Sequence, residues 1–327
     1  MQSYQIGANE AGQRLDKFLH KYMPTAQNSF LYKMLRKKNI VLNGKKAEGK
    51  EILAVDDTVS FFFSDETFQK FVGAAVGASS TETDLTAAYQ KAFEVLKNIT
   101  VIYEDDDILV LNKPAGVLTQ KAEAKDASLN EWMIGYLLHT NKLSAKELLT
   151  FKPSVQNRLD RNTSGLVLCG ISLKGSQLLS ELIHDRSVKK YYETIVKGKV
   201  KEAAFITGNL VKNEKTNTVT VDNSLEGNIK TAYKPLAYGK DFTLLEVELI
   251  TGKTHQIRAH LASMGHPVLG DMKYGDIGWN KAFRPKVSYQ LLHAKRIEMP
   301  MLKESFSNLS GKVFIAKNPR LFEDILM

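Results

Sequence analysis

Leu15, Phe18, Leu19 and Tyr22 in GQRLDKFLHKYM recur at helical spacing, which predicts a short amphipathic helix. Beyond Pro24, SFLYKMLRKK predicts a second helix running into the strand IVLNGKK. Its Asn43-Gly44 pair is a two-residue hairpin turn, because both residues tolerate positive φ. ILAV and TVSFFF, joined by Asp56-Asp57, read as further strands. From Val72 to Thr83 the run VGAAVGASSTET is small and weakly patterned, as a linker is. Asp84 reads as the N-cap of TAAYQKAFEVLKN, where Leu85, Tyr89, Phe93 and Leu96 mark one apolar face. The pattern leaves open whether that helix only connects or belongs to the larger region on its C-terminal side.

From residue 100 onward the period changes. VIYEDDDILVLNKPAG reads as strand, acidic turn and strand. LVLCGI, YYETIVKG, TAYKPLAY, FTLLEVELI and KVFIAK then alternate with helical pieces such as KGSQLLSELIHD and THQIRAHLASMG. RPKVSYQLLHAKRIEM reads as a late strand near the pocket, and NPRLFEDILM as a terminal helix without a chemical role. No internal repeat is visible. The expected architecture is α+β, with a mixed, mainly antiparallel sheet and flanking helices, preceded by a small N-terminal α/β unit. The expected divisions are 1–64, a linker and connecting helix over 65–99, and 100–327.

Composition narrows the function. A chain of 327 residues with 43% apolar content can bury a sizeable core. The net charge of +9 favours a polyanionic partner. Cys169 is the single cysteine and sits inside an apolar run, so a reducing compartment is expected. The first residues lack a signal-peptide pattern, and no apolar stretch is long enough to span a bilayer. The expectation is a cytoplasmic location without membrane partners.

The positive charge is concentrated. Between Tyr32 and Lys50 lie Lys33, Arg36, Lys37, Lys38, Lys45, Lys46 and Lys50, against one acid, Glu48. Lys33, Arg36 and Lys37 share a helix face, and the Asn43-Gly44 turn returns Lys45 and Lys46 close by. Such a patch can be a solvated surface or a grip on the phosphates of structured RNA. The order RLDKFL…LRKKNIVLNGKK…VDDTVSF resembles the small alpha-L RNA-binding domain over about residues 12–60.

The stretch NRLDRNTSG, 157–165, sets Asp160 between Arg158 and Arg161. Flanking cations favour the ionised carboxylate, so Asp160 reads as a nucleophile or an electrostatic partner rather than a proton donor. On these residues alone, an Arg–Asp pair that merely ties down a loop before a strand is the simpler reading. In KKYYETIVKG, Lys190, Tyr192 and Gly198 alternate on one strand face. In TGKTHQIRAHLASMG, Thr254 is a plausible helix cap and Gly265 the close. His255 and Arg258 share one face there, with Ile257 and Leu261 on the adjoining one.

Other chemistries fit poorly. His255 and His260 are five positions apart and lack a third ligand, so no metal is expected. Ser164 has no nucleophile elbow, which removes a hydrolase built from Ser164, His255 and Asp160. Lys113-Pro114-Ala115-Gly116 is too short for a phosphate loop, and Glu104 to Asp107 reads as a solvated turn.

Taken together, NRLDRNTSG, Lys190-Tyr191-Tyr192 to Gly198, and TGKTHQIR with GHPVLGDMKYG resemble the RluA-type pseudouridine synthases. VIYEDDDILVLNKPAG and Leu292-His293-Ala294 extend the likeness over about 100–300. The resemblance implies cofactor-free isomerisation of uridine to pseudouridine in RNA. It implies Asp160 as nucleophile toward base or ribose, Tyr192 against the uracil and assisting proton removal at carbon 5, and Arg258 paired with Asp160. Arg158 would replace the extruded nucleotide, Arg161 would help grip phosphate, and Ile257 would wall the pocket. Relatives with an N-terminal module point to large-subunit ribosomal RNA, with a monomer acting alone. Transfer RNA, or a non-catalytic role in ribosome assembly, are the alternatives. Asn157 stands where the family usually has His, so a positional hydrogen bond is expected there, with activity retained.

Overall fold

The computed structural model describes residues 1–72, 82–213, 218–222 and 227–327. Among the described residues, the N-terminal portion forms a four-stranded antiparallel sheet. Its strands are β1 (Gln2–Gln5), β2 (Ile40–Leu42), β3 (Lys45–Lys46) and β4 (Thr58–Phe61), in the order β1-β4-β2-β3. Helix α1 (Leu15–Tyr22) buries the face that its spacing marked out, and α2 (Asn28–Arg36) buries Leu31, Met34 and Leu35. Tyr4, Phe18, Tyr22 and Phe61 pack there with ring centroids 4.9–5.6 Å apart, and aromatic pairs add stabilisation beyond their buried area. ILAV is not a strand. It makes one isolated bridge, Arg14 to Ile52, and leaves Ile52 and Val55 exposed.

Helix α3 (Asp65–Val72) closes this small core with Phe68 and Val72. Most of the expected linker, residues 73–81, lies outside the described residues. Helix α4 (Glu82–Val95) starts before Asp84, so Asp84 falls in its first turn rather than capping it. Tyr89, Phe93 and Leu96 then pack on the larger core. They do so beside α5 (Leu129–His139), where a Cβ on Gly135 would sit 2.3 Å from the Tyr89 carbonyl oxygen. Only glycine allows the two helices that close.

The larger sheet runs β11-β10-β12-β13-β9-β14-β8-β6-β5. Its strands begin with β5 (Thr100–Glu104), β6 (Ile108–Lys113), β7 (Ser154–Val155), β8 (Ser164–Gly170) and β9 (Lys189–Lys197). They continue with β10 (Ala204–Asn213), β11 (Thr218–Asp222), β12 (Ile229–Tyr238), β13 (Phe242–Leu249), β14 (Leu292–Glu298) and β15 (Val313–Ile315). β7 pairs with β8, and β15 with β14. Antiparallel pairing dominates; β14 and β8 run parallel through His293–Ser164 and Ala294–Gly165. Gly165 is required at that crossing. Its φ is +113°, and a Cβ would meet the Ala294 backbone at 2.3 Å.

The unbroken apolar runs of β6 and β8 reflect burial on both faces. Leu109, Leu111, Val167 and Cys169 face one core with α5. Ile108, Val110, Leu166 and Leu168 face another, covered by α6 (Leu173–His184), whose Ser172 cap accepts the Gly175 N–H. Helices α7 (Gln256–Ser263), α8 (Ile277–Lys281) and α9 (Arg320–Leu326) complete the fold, and Phe322 of α9 is buried. The acidic stretch does turn, with Asp105 Oδ1 accepting the N–H groups of Asp107 and Ile108. It is not solvated throughout, since Glu104 ends β5 paired with Lys142 and Asp107 is buried against Ser172. The two sheets meet through a buried link. Thr150 donates to Glu10 at 2.5 Å and lies 3.2 Å from the Tyr4 hydroxyl.

Candidate active site

Asp160 lies in the turn that leads into β8, and buried groups fix that turn from beneath. Thr119 Oγ1 donates to the Leu159 carbonyl at 2.7 Å and accepts the Leu159 N–H at 3.1 Å. The Lys113 ammonium is fully buried and donates to the carbonyls of Pro114, Val117 and Arg161. Burial pushes it down to about 7, against the opposing pull of Asp160. The Lys-Pro-Ala-Gly stretch thus clamps the Asp160 turn and is no phosphate loop.

Helix α7 brings Arg258 to the same place. Its Nη1 donates to Asp160 Oδ2 at 2.7 Å. Its Nε and Nη2 make a two-point contact with Asp271, at 2.7 and 2.9 Å. Bidentate geometry of this kind is the strongest an Arg–carboxylate pair adopts. Burial disfavours the Arg258 charge, yet Asp271 and then Asp160 outweigh it and raise its pKa further. Burial also works against the Asp271 charge, but Arg258 and the N–H groups of Lys273 and Tyr274 hold its pKa below the usual range. One guanidinium therefore bridges a sealed carboxylate and a reachable one, with 0% and 26% of their side chains exposed.

Asp271 escaped the sequence reading. The only signal was its place in GDMKYG, and no local spacing ties it to Arg258 thirteen residues earlier. Thr254 does not cap α7. His255 occupies that position in the left-handed region, φ +57°, and no side-chain cap bond forms. Gly265 does end the helix, with φ +81°.

A cleft of about 60 Å³ opens over Asp160, lined by Arg158, Thr163, Tyr192, Leu249, Ile257 and Leu292 among others. Tyr192 and Ile257 are buried walls, and Arg158 is exposed at the mouth. Burial first, and the Asp160 charge second, raise the Tyr192 phenol above its ordinary value. Arg161 is not brought into the cleft; its Nε donates to the Gly116 carbonyl at 3.1 Å. The flanking arginines are therefore not what touches the carboxylate, since the contact comes from Arg258, distant in sequence. Asn157 accepts the Leu168 N–H at 2.7 Å and donates to the Leu166 carbonyl, holding β8.

The histidines go to separate partners. His260 meets Thr231, His266 the Lys197 carbonyl, and His293 the Ser164 hydroxyl. Ser164 thus pairs with a buried His293, pushed down to about 4, rather than with His255. A wider groove of about 550 Å³ lies on the other face of the sheet, around Tyr191, Phe205 and Glu246. There Glu246 is held by Lys234 and Arg296, so its carboxylate is neutralised from two sides. Asp160, with one oxygen left open, is the stronger chemical candidate.

A half-held carboxylate in a cleft marks a candidate catalytic site, and comparison with known proteins gives its class. The RNA pseudouridylate synthase family model matches residues 107–263. The ribosomal large subunit pseudouridine synthase C of Rickettsia bellii is 31% identical, over 87% of this chain and 88% of its own. Two human structures, RNA pseudouridylate synthase domain containing 4 and domain containing 1, share the fold. Their TM-scores are 0.53 and 0.50, at 20% and 21% identity. They cover 74% and 70% of this chain and 95% and 94% of their own. The chain belongs to the RNA pseudouridylate synthase family. It is an isomerase that converts uridine in RNA to pseudouridine.

Proposed function

We propose that the substrate is large-subunit ribosomal RNA and that Asp160 performs the chemistry. The observation that carries the second point is the division of labour on one carboxylate. Oδ2 is held by Arg258, while Oδ1 has no hydrogen-bond partner among the described residues and faces the cleft. The reaction breaks the N1–C1′ bond and forms C5–C1′; the C5 proton leaves and N1 gains one. Asp160 Oδ1 is the atom positioned to attack the base or the ribose. Arg258 aims it and balances its charge.

Tyr192, Ile257 and Leu292 supply the walls against which the freed uracil turns. A raised phenol pKa keeps Tyr192 protonated at neutral pH, which suits it to packing better than to removing the C5 proton. Extruding a nucleotide costs a few kcal/mol, and exposed Arg158 at the mouth is placed to fill the gap it leaves.

The six basic residues Lys33, Arg36, Lys37, Lys38, Lys45 and Lys46 are all exposed, and among the described residues none makes an ion pair. That supports residues 1–64 as an RNA-gripping unit joined through 65–99 to a catalytic unit over 100–327. The name carried by the Rickettsia relative supports the ribosomal substrate. The enzyme then acts in the cytoplasm, as a monomer and without a cofactor. The test maps pseudouridine in ribosomal and transfer RNA from cells lacking the gene. A large-subunit site should vanish, return with the wild-type chain and stay absent with Asp160→Asn. Loss confined to transfer RNA would overturn the substrate assignment, and restoration by Asp160→Asn would overturn the role of Asp160.

A further inference from the structure

His255 precedes the first residue of α7 and carries a left-handed backbone. At φ +57° and ψ +15° it sits in the left-handed region, which few non-glycine residues adopt. His, like Asn and Asp, is among the side chains enriched there, so the backbone admits a histidine and its contacts say what the ring does.

The surroundings over-determine that ring. Next door, Gln256 donates to the Lys230 carbonyl and Thr231 Oγ1, both at 3.0 Å, and accepts from Thr251 and the Lys253 N–H. His255 Nδ1 is 2.9 Å from the Tyr274 hydroxyl. That hydroxyl accepts the Val219 N–H of β11 at 3.0 Å. The phenol proton is then free to go to Nδ1, which leaves the imidazole proton on Nε2. Nε2 faces Asp160 Oδ1 at 4.0 Å, the oxygen that Arg258 does not hold.

The charged groups around the ring are Asp160, Arg258, Lys273 and Asp271. Burial lowers the imidazole pKa, with Asp160 opposing and Arg258 and Lys273 assisting, and this favours a neutral ring. A separation of 4.0 Å is too long for a hydrogen bond, so Oδ1 stays free to react. A single contact at Oδ2 leaves the carboxylate able to swing about its side-chain bonds. A dipole fixed opposite Oδ1 limits that swing.

We propose that His255 is a positioning residue for Asp160, oriented by Tyr274 and, through it, anchored on β11. The proposal rests on the reading of Asp160 as the reacting group. Tyr274 serves twice, since its ring also lies under the Arg258 guanidinium at 5.2 Å. Both oxygens of Asp160 are thereby aimed by groups that Tyr274 touches, and the β10–β11 arm is coupled to the reacting carboxylate. In sequence terms the His of Thr-His-Gln-Ile-Arg is given a function distinct from that of the Arg three residues later.

The test uses the full chain and large-subunit ribosomal RNA carrying tritium at uracil C5, because the reaction releases that hydrogen to solvent. Single-turnover rates and half-saturating enzyme concentrations are compared for wild type, His255→Asn, Tyr274→Phe and the double variant. Asn is chosen because it tolerates the left-handed backbone.

His255→Asn should lower the saturated rate about 30- to 100-fold, with half-saturation within about twofold of wild type. Tyr274→Phe should lower the rate about tenfold, and the double variant should be no slower than His255→Asn, since both changes break one link. A His255→Asn rate within about threefold of wild type, or losses that multiply in the double variant, would overturn the proposal. Should His255→Asn melt below the assay temperature, Tyr274→Phe decides, and a rate within about twofold of wild type sinks the idea. If wild type itself releases no tritium, the proposed substrate fails instead, which is a separate result.

Discussion

Asp271→Asn is the sharpest perturbation of the site, because it removes one charge and little volume from a sealed position. The Asp271 side chain is 0% exposed and Arg258 8%, so their charges meet with little solvent screening. Removing one partner of such a pair costs about 3–5 kcal/mol. Asn keeps one acceptor oxygen, which places the expected loss near the lower end, about 3 kcal/mol or roughly a hundredfold in the folding equilibrium.

The pH dependence has a definite sign. The folded pKa of Asp271 lies below its unfolded value, chiefly because Arg258 outweighs the burial that would raise it. Its stabilising contribution is present above the unfolded pKa of about 3.9 and is lost as pH falls through the lower folded value. The gap between wild type and Asp271→Asn should therefore be steady between about pH 5 and 8, and narrow below about pH 4. Urea unfolding of both proteins across this range measures it. A gap under about 0.5 kcal/mol at pH 7, or one undiminished at about pH 3.5, refutes the reasoning.

Two further outcomes are expected. Tyr192→Phe should slow tritium release by less than about tenfold and leave the shape of the pH–rate profile intact, whereas Tyr192→Ala should cost over about a hundredfold; loss of the alkaline limb in the Phe variant would restore the phenol as a base. Lys37→Glu with Lys38→Glu should weaken binding to large-subunit ribosomal RNA and flatten the slope of log affinity against log salt by about 1–2, and an unchanged slope would remove the patch from the RNA interface.

The parts legible in the sequence are those whose signal is local. Helices α1, α2 and α6, the Asn43-Gly44 turn and the doubly buried strands β6 and β8 each carry a period or a run that burial imposes. α5 escaped because LNEWMIGYLLH is buried on most of its circumference, which erases the one-sided pattern. β10 and β11 escaped because they lie at the sheet's end, where one-sided burial is weak. ILAV misled because it is an apolar loop that buries only Leu53 of its four residues and leaves Ile52 and Val55 exposed.

At the site, Asp160 was legible from its motif, and the family likeness also pointed to Arg258 as its partner, which the 2.7 Å contact bears out; the local residues alone pointed elsewhere. Sequence neighbours Arg158 and Arg161 looked like the balancing charges, yet side chains next to a turn residue diverge. The cation that reaches Asp160 comes from α7. Asp271 and Tyr274 carry no local signature, since their roles arise only when the turn after Gly270 folds back on α7.

Comparing purified wild type and Asp160→Asn on tritiated ribosomal RNA, with RNA binding measured in parallel, tests the central claim most directly. Asp160→Asn keeps the shape of the side chain, so RNA should still bind within about threefold of wild type while tritium release falls by at least about ten-thousandfold. Release within about tenfold of wild type would contradict the account, because the reacting oxygen would then not be the one that Arg258 leaves free.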